Sequence, residues 1–117
     1  MSLDITLIDP NVTQKSFNDY LRACVFEINI THNLAKMADK AGIYEAIWRP
    51  EEIGATRAIH IIELVKDGIK KLEKDPEYFR QFDAKNGWGT YNQFIPWLKR
   101  YLEGLEENPD SIIEISR

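Results

Sequence analysis

The chain has 117 residues, 44% of them hydrophobic and 29% charged, with a formal net charge of −4. That length holds one core, so residues 1–117 are read as a single domain, and the composition excludes an intrinsically disordered chain. The acidic balance gives no basic footprint for nucleic acid, and no apolar run approaches the roughly 20 residues of a membrane span.

Met1-Ser2-Leu3 is given no functional weight and reads as a cloning remnant. Residues 4–9 read as a short strand, ended by Pro10 and Asn11. Residues 12–23 are ambiguous, with Phe17, Tyr20 and Leu21 at helical spacing. Residues 24–30 alternate, Phe26, Ile28 and Ile30 on one face and Val25, Glu27 and Asn29 on the other, as in a strand covered on one side. From Asn33 the period becomes helical through Leu34, Met37, Ala38 and Ala41, and Gly42 suits the C-terminal cap.

Residues 43–48 are a short apolar segment broken by Arg49-Pro50. Thr56 is the expected N-cap of a helix with the stripe Ala58, Ile61, Ile62, Val65, Ile69 and Leu72. Gly68 interrupts that helix at a cost of about 1 kcal/mol relative to alanine, unless close packing requires it. Asp75-Pro76-Glu77 reads as a cap, a proline at the first helical position and an acid near the positive end of a short helix. Residues 85–89 form a loop. Thr90 and Gln93 have capping-box spacing ahead of a helix with Tyr91, Phe94, Ile95, Leu98, Tyr101, Leu102 and Leu105 along one face, in which Pro96 should introduce a kink. Residues 112–116 are again strand-like and are expected to pair antiparallel with residues 24–30. The resulting class is α+β, mainly helical, with roughly three or four helices packed on a small, largely antiparallel sheet of about three strands. A strand at the sheet edge leaves a homo-oligomer open.

Three places carry polar or aromatic chemistry. Thr31, His32 and Asn33 stand where a strand hands over to a helix, a position that serves either as a cradle for a polar or anionic ligand or simply as a helix cap. Trp48-Arg49 suits recognition of a carboxylate or phosphate, or else a structural ion pair with Glu51 or Glu52. Asn86-Gly87-Trp88-Gly89 places a tryptophan between two glycines, as a pocket wall, an interface anchor or a lid on the core. The two histidines, His32 and His60, lack metal-ligand spacing, and no cofactor is expected. The single cysteine, Cys24, leaves no internal disulfide, and with no leader-like N-terminus the expected compartment is the cytoplasm. No nucleophile elbow and no phosphate loop is present.

Asn29-Ile-Thr-His-Asn-Leu34, Gly42-Ile-Tyr44, Trp48-Arg-Pro-Glu-Glu52, Asp75-Pro76, Asn86-Gly-Trp-Gly89 with Tyr91, Tyr101-Leu102 and Ser116-Arg117 form a set. On these motifs the chain resembles a family of small uncharacterised proteins encoded in bacterial genomes and in some phages. The resemblance runs from Phe26 to the end and departs from the family pattern at Pro96. It implies no enzyme, cofactor or substrate. It implies that the polar knot, Trp48-Arg49 and the Trp88 loop belong to one pattern, and they are expected to converge. The leading expectation is a non-enzymatic binding or interaction module, with a cleft of His32, Asn33, Arg49, Asn86 and Trp88 bordered by Thr31 and Trp48. Its partner would be a small polar or anionic ligand or a protein. One alternative is a small enzyme with His32 as general acid or base and Arg49 holding an anionic substrate; another is a structural subunit of a larger assembly.

Overall fold

The computed structural model describes residues 2–117. Its architecture is the α+β class read from the sequence, mainly helical, with a three-stranded antiparallel sheet. Strands β1 (Ser2–Ile8), β2 (Cys24–Thr31) and β3 (Ile112–Ser116) lie in the order β2-β1-β3. Leu3, Ile5 and Leu7 of β1 are buried on the inner face, beside Phe26, Ile28 and Ile30 of β2 and Ile113 and Ile115 of β3. Asp4, Glu27, Asn29 and Glu114 alternate outward and are exposed. Period two therefore sorts each strand into a core face and a solvent face.

Two expectations are corrected in the sheet. Strand β1 begins at Ser2, with Leu3 fully buried opposite Ile30, so Ser2 and Leu3 belong to the sheet; Met1 lies outside the described residues. Strand β3 pairs with β1, Ile115 facing Ile5, and not with residues 24–30. Beside β1 the apolar rows match, Leu7 facing Ile113 and Ile5 facing Ile115, while on the outer edge of β2 the Trp97 indole N–H donates to the Asn29 carbonyl at 2.7 Å. The outer edge of β3 is covered too, by a bridge from Arg57 to Ile112 and a bond from Ile113 N–H to the Thr56 carbonyl at 3.0 Å. Both edges are thus partly blunted against pairing with another chain.

The ambiguous segment 12–23 contains α1 (Phe17–Ala23), capped by the Ser16 hydroxyl. Tyr20 of α1 reaches the outer face and donates to Glu114 at 2.5 Å. That bond holds the Tyr20 phenol well above its ordinary range.

The helical layer begins after β2. A 3-10 turn (His32–Leu34) leads into α2 (Ala35–Lys40), Gly42 closes it, and α3 (Tyr44–Trp48) follows before a second 3-10 turn (Pro50–Ile53). Thr56 does not cap the next helix, as had been expected. The chain first makes a 3-10 turn (Ala58–His60), in which His60 Nδ1 accepts the N–H groups of Thr56 and Arg57, each at 3.1 Å. His60 therefore supplies the cap from inside the turn, while the Thr56 carbonyl serves β3.

Helix α4 (Ile62–Lys74) buries Ile62, Val65, Ile69 and Leu72. Its Gly68 presses on Ile43, where an added Cβ would overlap the Ile43 side chain; this close packing accounts for the glycine. Asp75 caps α5 (Pro76–Arg80), and Thr90 with Gln93 forms the capping box of α6 (Tyr91–Glu107). Pro96 lies within α6, which runs through it without interruption. No helix among the described residues is long and apolar enough to cross a membrane.

Candidate functional site

The turn after β2 and the loop before α6 meet side to side. Thr31 Oγ1 accepts the Asn33 N–H at 3.2 Å, so Thr31 is the cap and the Asn33 side chain is released for another partner. Asn33 Nδ2 donates to the Trp88 carbonyl at 2.7 Å. On the other side of the same residue, the Trp88 N–H donates to Asn86 Oδ1 at 3.0 Å. Gln93 reaches back from α6: its Oε1 accepts the N–H groups of Gly89 and Thr90, and its Nε2 donates to the Gly87 carbonyl. A bond from Ala84 N–H to the Gly89 carbonyl closes the loop at 2.9 Å.

Gly89 allows this contact. It is buried with φ +119°, and a Cβ there would stand 3.0 Å from Asn33 Cβ and 3.2 Å from Thr31 Cγ2. Gly87 also has positive φ but faces open space. With the backbone held, the Trp88 side chain does not fold back as a lid; it is 72% exposed. Between turn and loop lies a cleft of about 580 Å³. Its polar lining comes from Ser2, Asn29, Thr31, Asn33, Asn86 and Gln93, and none of the described residues lining it has an ionisable side chain.

The other half of the expected site lies apart from this cleft. His32 is half-buried, and its Nδ1 accepts the Trp48 indole N–H at 2.9 Å. Trp48 is buried at 2% exposure and stacks on Tyr44, with centroids 5.8 Å apart. The Tyr44 hydroxyl accepts from Arg49 Nε at 3.2 Å, and Arg49 Nη1 pairs with Glu52 at 3.3 Å. The Tyr44 bond raises the Arg49 guanidinium above its ordinary value, and Glu52 adds to the effect. Arg117 donates to the Trp48 carbonyl at 3.0 Å and pairs with Glu51, whose carboxyl it holds below the usual range.

The structure thus brings Thr31, Asn33, Asn86 and Trp88 to one cleft, while His32, Trp48 and Arg49 do not line it. The cause is local: the Trp48 indole turns inward to find its acceptor in His32, and Arg49 is drawn to Tyr44 and Glu52. The bond from Trp48 also sets the His32 tautomer, with Nδ1 as acceptor and Nε2 carrying the hydrogen, so neither ring nitrogen offers a free lone pair. Cys24 donates to the Tyr20 carbonyl at 3.2 Å. Among the described residues no group of three or more His, Cys, Asp or Glu side chains is placed to hold a metal ion.

Three lining residues were missed by sequence reasoning. Ser2 was set aside with the N-terminus, and Asn29, though part of the Asn29–Leu34 motif and of the outer face of residues 24–30, was not placed in the cleft. Gln93 had a visible signal, since its capping-box spacing ties it to the loop. No family model, no curated protein and no solved structure matches this chain.

Proposed function

We propose that the protein is a non-enzymatic binding module whose recognition surface is the cleft between the turn after β2 and the loop before α6. The observation that carries this reading is Trp88, 72% exposed on a backbone fixed by bonds to Asn33, Asn86 and neighbouring residues. An aromatic side chain left in water forfeits apolar burial, and an occupant that covers it recovers that contribution. Because the loop is already ordered, little of the gain is lost to freezing the site. The cleft volume, about 580 Å³, falls in the range of small-molecule sites, roughly 300–1,000 Å³. A ligand that is small and polar matches the hydroxyl and amide lining. The engagement of His32 with Trp48 weighs against a general base, and the pairing of Arg49 with Glu52 weighs against an anion clamp.

The test is a thermal-shift screen of neutral metabolites and anions against wild type and Trp88→Ala. The exposed indole can be removed with little change in the melting temperature of the free protein. Stabilisation by a ligand that disappears in Trp88→Ala supports the reading, and equal responses in the two proteins refute it.

A further inference from the structure

Resting on that binding reading, we infer that the occupant of the Trp88 cleft is a neutral polyhydroxylated ring, a saccharide. The first ground is charge. In a chain that is 29% charged, the described residues that line the cleft include no ionisable side chain. Among the described residues a phosphate or carboxylate would find no counter-ion in the cleft.

The second ground is the inventory of hydrogen-bonding atoms left over once the loop is built. Asn33 uses Nδ2 on the Trp88 carbonyl, which leaves Oδ1 as an acceptor. Asn86 uses Oδ1 on the Trp88 N–H, which leaves Nδ2 as a donor. Thr31 Oγ1 accepts from Asn33 and keeps its own hydrogen to give. An open acceptor and open donors therefore surround one indole. A hydroxyl both donates and accepts, so neighbouring hydroxyls on one ring can use such a mixed set, whereas an acceptor-only anion cannot.

The third ground is the indole itself. Its π face carries negative charge density and favours the weakly positive C–H groups on the apolar side of a pyranose, while the hydroxyls around the ring's rim reach the amides. An extended peptide is less suited. It would add to the outer edge of β2, where the Asn29 carbonyl is already occupied by the Trp97 indole.

The experiment follows the three tryptophan indole N–H signals by NMR. Glucose, galactose, mannose, N-acetylglucosamine, maltose and cellobiose are titrated into the whole protein. Inorganic phosphate, acetate and a Val-Thr hexapeptide are titrated in parallel. At least one sugar is expected to move Trp88 saturably and leave Trp48 in place. Asn86→Asp keeps an acceptor for the Trp88 N–H but exchanges the free donor for a charged acceptor oxygen, and it should weaken that sugar about tenfold. Trp88→Ala should abolish the response. Silence of Trp88 toward every sugar overturns the inference. If phosphate, acetate or the peptide moves it instead, the binding reading survives and the saccharide does not. If no probe moves Trp88, both fall.

Discussion

Replacing Gly89 by alanine probes the contact on which the candidate site depends, and Gly87 two residues earlier provides an internal control. Both glycines have positive φ, +79° at Gly87 and +119° at Gly89. Only at Gly89 would the new Cβ meet neighbours, Asn33 Cβ at 3.0 Å and Thr31 Cγ2 at 3.2 Å. An L side chain in such a backbone region costs of order 1–3 kcal/mol. Crowding in a packed site adds about 1–3 kcal/mol. Gly87→Ala should therefore lose about 1 kcal/mol and Gly89→Ala about 3 kcal/mol, the second carrying both penalties. The entropy that alanine removes from the unfolded chain is common to both variants and cancels in the comparison. With about 2.1 cal/mol/K of unfolding entropy per residue over 117 residues, each kcal/mol shifts the midpoint by about 4 °C. Thermal unfolding followed by circular dichroism should then show losses of about 4 °C and about 12 °C. Equal losses in the two variants would refute the claim that the loop is seated on Thr31 and Asn33.

Other consequences can be measured separately. The Tyr101 hydroxyl is fully buried with no hydrogen-bond partner, so Tyr101→Phe should stabilise the protein by about 1 kcal/mol; a lower melting temperature would mean that the hydroxyl has a partner after all. Burial also pushes the Tyr101 phenol up, so its contribution is complete below the ordinary value of 10.0 and lost as pH rises beyond it, when the unfolded chain ionises first. Tyr101→Phe should therefore also flatten the alkaline limb of a stability–pH curve. Gly68→Ala should destabilise despite the roughly 1 kcal/mol that helix propensity offers alanine, and should turn stabilising in an Ile43→Ala background; stabilisation in the wild-type background would sink the packing argument. Arg117→Ala should raise the Glu51 carboxyl back toward its ordinary range, read by NMR titration. Because Arg117 holds that carboxyl low, its contribution is present above pH 4.5 and fades as pH falls through the depressed value, and both partners are exposed enough for salt to screen it.

Elements with a strong period or a complete cap were legible in the residues. The alternation of Phe26, Ile28 and Ile30, the stripe from Ile62 to Leu72, the Asp75-Pro76 start and the Thr90–Gln93 box each state their structure locally. Partners across space were not legible. Period two tells which face of β3 is apolar but not which strand lies beside it. Thr56 has the chemistry of a cap, yet His60 four residues on does the capping, because an imidazole acceptor can reach back within a tight turn. The meeting of Thr31 and Asn33 with the Trp88 loop was expected only from the resemblance that set both in one pattern, since nothing in their own spacing joins them. The diversion of Trp48 to His32 could not be foreseen, since it depends on the direction in which one buried indole points.

The place of β1 between its neighbours has a kinetic side. Ile5 faces Ile28 on one flank and Ile115 on the other. The first pairing closes a short loop, and the second must bring together opposite ends of the chain. Loop-closure entropy makes the distant pairing the slower to reward. The β1–β2 pair can assemble early with one side of β1 still open, and docking of β3 becomes the step that completes the fold. Changes in Ile113 or Ile115 should therefore act mainly on the unfolding rate, and changes in Phe26 or Ile28 on the folding rate.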